Sequence, residues 1–267
     1  MPDPRHIDFA AKIRSRERVL GYWITLDSPV STERIARTGY DYVALDAQHG
    51  LFGYEGLLRG LTAIDAAGRS VGLVRVEAND PTYIGKALDA GAGGVIVPLV
   101  DDAAQAAAAV AAAKYPPHGR RSYGPMRSAL RVGPVPADSN ATTVVFAMIE
   151  TPQGLANVAE ICATPGLDGV YVGPSDLCIA VGGAFPNDPA VAPQFTAALA
   201  TVQEVAAAAG VAAGIHTASG AQAAQRLAEG YTFATVSSDL THLEQAAADH
   251  LATANATATA AASGTGY

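Results

Sequence analysis

Two acidic residues stand where chemistry could use them. Glu150 closes the apolar run "TVVFAMIE" (143–150), and Asp176 sits in "GPSD", directly behind "GVYVG" (169–173). Carboxylates at the same end of neighbouring strands face one another and repel unless a positive charge lies between them. A divalent cation with oxygen ligands and several open or water-filled positions meets that need, with Mg²⁺ or Mn²⁺ the natural class and Co²⁺ or Zn²⁺ as further options. The plainer alternative for Glu150 is a salt bridge to Arg75, which stands near the end of "VGLVRV" (71–76). A guanidinium there could equally serve an oxygen that carries developing negative charge. His49, in "DAQHG" (46–50), can accept and return a proton near neutrality, since an unperturbed imidazole titrates at about 6.5. Asp46 and Gln48 beside it are expected to order water and the loop that carries His49, although such a cluster is also an ordinary way to end a strand. His216, the last residue of "VAAGIH" (211–216), is the competing imidazole. The turn Gly173, Pro174, Ser175, Asp176 can expose N–H groups at a helix start, which suits a carboxylate or phosphate. Schiff-base chemistry needs a lysine at a strand end, and Lys12, Lys86 and Lys114 all lie elsewhere. If a carbonyl is activated here, a metal acting as Lewis acid must do it.

These residues converge only if their strands do. Val-, Ile- and Tyr-rich runs recur at 19–26, 42–46, 71–76, 94–100, 143–150, 169–173, 211–216 and 233–238. Between them lie Ala- and Leu-rich segments of helical length: Thr32 to Thr38, Gly56 to Ala67, Tyr83 to Ala90, Asp102 to Lys114, Gly154 to Thr164, Pro193 to Ala209, Ala218 to Glu229 and Thr241 to Leu251. Several end in Gly, which suits a left-handed C-cap. Strict alternation of this kind implies an α/β fold with a parallel sheet, and eight units in about 250 residues match a closed (β/α)₈ TIM barrel whose chemistry sits at the carboxyl ends of its strands. An open doubly wound sheet fits less well, because no glycine-rich phosphate loop follows the first strand. The barrel is expected over residues 1–251, with a mobile low-complexity tail at 252–267. The long irregular stretch 115–140 is expected to form a lid or a subunit contact.

Composition narrows the classes further. A net charge of −8 and the absence of a basic, aromatic-interleaved cluster argue against nucleic-acid binding. No run is long enough to span a membrane, and the first residues are polar and charged rather than a signal sequence, so a cytoplasmic location is expected. Cys162 and Cys178 lack metal-site spacing and read as reduced packing residues.

The order "DAQHG", "VRVEANDP", "ALDAGAGGVIVPLV", "YPPHGRRSYGP", "MIETPQGL" and "GVYVGPSDL" resembles the HpcH/HpaI aldolase family, metal-dependent pyruvate aldolases related to citrate lyase, and within it the bacterial hydroxy ketoacid aldolases. The resemblance runs from Gly21 to Glu244. It implies reversible cleavage of a 4-hydroxy-2-oxo acid to pyruvate, or hydroxypyruvate, and an aldehyde. By the same resemblance Glu150 and Asp176 would hold the divalent metal, Arg75 would stabilise the enolate oxygen, and His49 would act as base through a metal-bound water. Ser175 and the backbone of Gly173 would hold the pyruvate carboxylate, and Asp89 would raise the basicity of His49. Asp89 falls at the end of the third helix, on the face of the barrel opposite His49, so the expected contact is with His49 of a neighbouring subunit. The family forms hexamers, trimers of dimers with an exchanged helix, and Thr241 to Leu251 is the candidate for exchange. Two departures fall in the aldehyde pocket: Met148, where some members carry Gln, and His216, where others are apolar. The alternatives are a malyl- or citramalyl-coenzyme A lyase, for which Arg120, Arg121, Arg127 and Arg131 would have to form a nucleotide patch, and a non-catalytic binding barrel.

Overall fold

A computed structural model describes residues 2–263, with side chains described to residue 256. Its strands are β1 Val19–Ile24, β2 Tyr42–Asp46, β3 Val71–Arg75, β4 Gly94–Val97, β5 Val144–Ile149, β6 Gly169–Val172, β7 Ala212–Thr217 and β8 Phe233–Ser238. They pair in parallel in chain order, and β8 returns to β1 to close the barrel. Two strands stop two or more residues short of the sequence expectation, for local reasons. In β1 the N–H groups of Thr25 and Leu26 turn to the Asp239 carboxylate, at 2.8 and 3.1 Å. After β4, Pro98 has no N–H for the ladder and Leu99 is left-handed, with φ 54°.

The barrel interior is a second core, separate from the layer between strands and helices. Val71, Leu73, Ile96, Val144, Phe146 and Phe233 fill it, and glycine makes the room its rings need. A Cβ on Gly21 would lie 2.0 Å from Tyr42 Cζ, and one on Gly214 would lie 2.1 Å from Phe233 Cζ. The buried hydroxyls of Tyr42 and Tyr171 share Thr235 Oγ1, at 2.5 and 2.6 Å, so no polar atom of theirs is stranded.

The amino-terminal mouth is plugged by a helix, Pro4–Arg14, that the sequence reading treats as a polar leader. Asp3 caps it by accepting the Arg5 N–H, Pro4 opens it, and Phe9, Ala10 and Ile13 enter the barrel core. The expected helix Gly154 to Thr164 is two, Pro152–Ala156 and Val158–Cys162, broken at Asn157, whose side chain donates to the Asp101 carbonyl at 2.8 Å. The stretch 115–140 contains a helix Ala129–Val132 and the start of another, Pro136–Thr142. It packs against the amino-terminal face: Arg121 bonds Asp89, and Arg127 and Arg131 pair with Asp65. It is therefore no lid over its own catalytic mouth, because an α-to-β connection in a parallel barrel lies at the opposite end. Tyr123, Met126 and Leu130 on it are exposed.

The final helix is Asp239–Ser263, well past the expected stop at Leu251, so the expected tail begins inside it; residues 264–267 lie outside the described ones. Its first turns lie against β1 and β8, where the His242 ring nitrogen meets the Tyr22 hydroxyl at 2.8 Å, and Leu240, Leu243 and Leu251 are exposed. Both cysteines are free and buried. No helix among the described residues is long and apolar enough to cross a membrane.

Candidate active site

Asp46 and Arg75 end β2 and β3 and are register partners across the ladder. Arg75 donates from Nε and Nη2 to the two Asp46 oxygens at 2.8 and 2.5 Å, a bidentate pair with both groups buried. The same carboxylate accepts the Gln48 and His49 N–H groups, at 3.1 and 3.2 Å, and the Trp23 indole N–H at 3.2 Å. Burial works against its charge, but the Arg75 bonds and charge, with the His49 and Trp23 donors, hold it below the ordinary carboxylate range. The Trp23 ring lies 5.0 Å from the guanidinium carbon and stacks on Tyr171. Arg75 is thus committed to Asp46, not to Glu150, and Asp46 also holds the backbone at the start of the His49 loop.

Glu150 follows β5 and is 3% exposed. Its Oε1 accepts the Leu99 N–H at 2.9 Å, while Oε2 is buried with no partner among the described residues. Burial pushes this carboxyl up to about 7; the nearby Asp176 charge adds to that, and the Leu99 bond and Arg75 oppose it. Asp176 stands exposed in the first turn of the helix Pro174–Ala180, with Gly173 as N-cap. A Cβ on Gly173 would come within 2.3 Å of Glu150 Oε2 and 3.0 Å of Met148 Cε, so glycine is what leaves space beside the orphan oxygen.

Arg75 and Asp176 share one cavity of about 170 Å³, lined also by Trp23, His49, Met148, Tyr171, Gly173, Pro174, Ser175 and His216. His49 is exposed at its rim, and the Gln48 side-chain oxygen beside it is buried without a partner among the described residues. His216 meets Trp23 edge-on at 5.3 Å; burial, and then the Arg75 charge, bring it down to about 4, so its imidazole is neutral at neutral pH. A larger cavity of about 610 Å³ opens at the other end, beside Arg14, Lys114 and Asp168. Its charges are already used: Arg14 pairs with Asp168 at 2.7 Å, and Lys114 donates to the Asn140 and Thr143 carbonyls.

Asp89 does not join the site of its own chain. It ends the helix Pro81–Asp89 on the amino-terminal face and accepts Arg121 Nη2 at 2.5 Å. Arg121, Arg127 and Arg131 are therefore engaged by acids of that face, which removes most of the nucleotide patch that the coenzyme A alternative requires. Trp23, Tyr171 and Leu99 are site residues that the sequence reading misses. Trp23, the sole tryptophan, carries a signal in hindsight, because it stands two residues after Gly21 on the strand's inward face.

The fold is thus a closed parallel barrel with an arginine, a histidine and two carboxylates at its carboxyl-end mouth. The chain belongs to the HpcH/HpaI aldolase/citrate lyase family, which it matches over residues 19–246. It is 41% identical over 238 residues to a hydroxypyruvate/pyruvate aldolase of Rhizorhabdus wittichii, covering 89% of this chain and 94% of that one. It is 36% identical over 235 residues to a 5-keto-4-deoxy-D-glucarate aldolase of an Enterobacter species, covering 87% and 90%. Among solved structures, an HpcH/HpaI aldolase/citrate lyase family protein of Burkholderia cenocepacia superposes with a TM-score of 0.86 at 31% identity, over 93% of this chain and 99% of that one.

Proposed function

We propose that this protein is a class II aldolase that cleaves a 4-hydroxy-2-oxo acid to pyruvate, or hydroxypyruvate, and an aldehyde, and runs the reverse addition. The observation that carries this reading is the Asp46-fixed guanidinium of Arg75 facing the same cavity as Asp176, beside a Glu150 oxygen that is buried and unpartnered. A buried carboxylate oxygen without a donor calls for a cation. Glu150 and Asp176 fit a hard divalent ion such as Mg²⁺ or Mn²⁺, with substrate and water as its further ligands, since no three His, Cys, Asp or Glu side chains among the described residues form a closed cage. When bound, the ion supplies Lewis acidity at the 2-oxo group.

The chain's own residues supply the rest. Ser175 and the backbone of Gly173 hold the substrate carboxylate at the helix start. His49 takes the proton from the C4 hydroxyl, the C3–C4 bond breaks, the aldehyde leaves, and the electron pair passes to the C2 oxygen. Asp46 leaves Arg75 Nη1 for that oxygen as its charge develops, and a fixed donor is worth most there. Return of a proton to C3 completes pyruvate. Relatives named for hydroxypyruvate, pyruvate and 5-keto-4-deoxy-D-glucarate support the 2-oxo acid class.

The acid partner of His49 is assigned to Asp89 of a neighbouring subunit, because the two lie at opposite ends of one barrel. Exposed Met126 and Leu130, and the exposed apolar residues of Asp239–Ser263, support an assembly, a hexamer built as a trimer of dimers with that helix exchanged. The activity is tested by pyruvate release from 4-hydroxy-2-oxopentanoate after exhaustive chelation and metal return. Release should vanish in chelator and return with Mg²⁺ or Mn²⁺; an undiminished rate in chelator, or no release with any metal, contradicts the reading.

A further inference from the structure

The end of β8 carries a polar group that nothing in the fold uses. Ser237 is the extra residue where β8 shifts register against β1, between the pairs Tyr22–Val236 and Trp23–Ser238. It is left-handed, with φ 52°, and 2% exposed, and its Oγ has no partner among the described residues. A bulge beside a site re-aims a side chain at the cost of local strain, and a buried hydroxyl without a partner costs more.

Ser237 lines a second cavity, of about 220 Å³, between the ends of β7 and β8 and the helices Ala192–Ala209 and Gly220–Ala228. This chamber and the active-site cavity have Pro174, Ser175 and His216 in common, so it adjoins the site beside the His216 ring. Its volume equals about seven waters at roughly 30 Å³ each, which is room for a short substituted carbon chain.

Its walls are mixed: Phe195, Leu199 and Ile215 are apolar, and the polar groups are mostly uncharged. Gln222 gives its oxygen to the Ala218 N–H at 2.7 Å and keeps its amide donors, and the neutral His216 can donate or accept. Thr241 is already bonded to Ser238 at 2.9 Å. The lining cation, Arg226, is held by Glu229 Oε2 at 2.6 Å. Hydroxyl, amide and imidazole groups match alcohols, whereas a terminal carboxylate or phosphate would have to compete with Glu229 for Arg226.

We propose that this chamber binds the distal end of the aldehyde and selects a hydroxylated, uncharged tail, with Ser237 Oγ as the group that reads its terminal hydroxyl. The proposal rests on the aldolase reading above. Its test is the kcat/KM for addition of pyruvate to glyceraldehyde, lactaldehyde and glyceraldehyde 3-phosphate, with Mg²⁺ present. The first two share the α-hydroxyl that tunes the carbonyl and differ in the terminal hydroxyl. Glyceraldehyde should exceed lactaldehyde about three- to tenfold, the worth of one hydrogen bond, and should exceed the phosphate ester. In Ser237→Ala the ratio of glyceraldehyde to lactaldehyde should fall towards one. Equal use of both aldehydes by the unaltered protein, preference for the phosphate ester, or an unchanged ratio in the variant overturns the subsite while leaving the aldolase reading intact. No addition to any aldehyde overturns both. The comparison in the unaltered protein decides even if the variant fails to fold.

Discussion

Asp46 is the residue on which most of the site depends, because one carboxylate fixes the Arg75 guanidinium, the Trp23 indole and the start of the His49 loop. Asp46→Asn keeps the shape but loses the charge and one acceptor oxygen, and a donor displaced by an ångström or so costs on the order of 100-fold in rate. The expected outcome is a fall in kcat of that order with a smaller change in KM, and a folded state weakened by about 3 kcal/mol because buried Arg75 loses its partner charge. Steady-state kinetics and urea unfolding read the two effects; a variant with kcat within about threefold of the parent would remove Asp46 from the account. The polar residues of the site were legible in the sequence because each ends an apolar run. Their partnerships were not. That Arg75 serves Asp46 and not Glu150 follows from the β2–β3 register, which local composition does not encode, and Leu99 serves Glu150 through its backbone, whatever its side chain.

At the scale of elements, alternation alone predicts the eight strands, since a buried parallel strand reads as an unbroken apolar run. What it misses are elements whose signals are short. The helix Pro4–Arg14 announces itself only by Asp3-Pro4 and by Phe9, Ala10 and Ile13 on one face, within an otherwise charged segment. The same topology separates Asp89 from His49, since a helix that returns to the amino-terminal face cannot reach the opposite mouth. His49→Ala and Asp89→Ala should each be nearly inactive alone. After mixing under conditions that exchange subunits, activity should return in part, because some sites then combine an intact His49 with an intact partner's Asp89. Mixtures no more active than their components, in assemblies shown by light scattering to have exchanged, would confine the His49 partner to its own chain.

For the whole molecule, a barrel closed at one end by a helix and open at the other leaves one mouth for chemistry. That mouth gathers an acid pair, a fixed guanidinium and an imidazole, in a member of the HpcH/HpaI aldolase/citrate lyase family. We propose that this mouth makes an enolate of a pyruvate-type acid with the help of a divalent metal. Proton exchange at the pyruvate methyl group isolates that step from any choice of aldehyde. In D₂O, with pyruvate and no second substrate, the methyl proton signal should decay in the presence of Mg²⁺ or Mn²⁺. It should persist after chelation, and in Glu150→Gln or Arg75→Ala protein. A methyl signal that survives every metal, or that decays equally in chelator, would contradict the account.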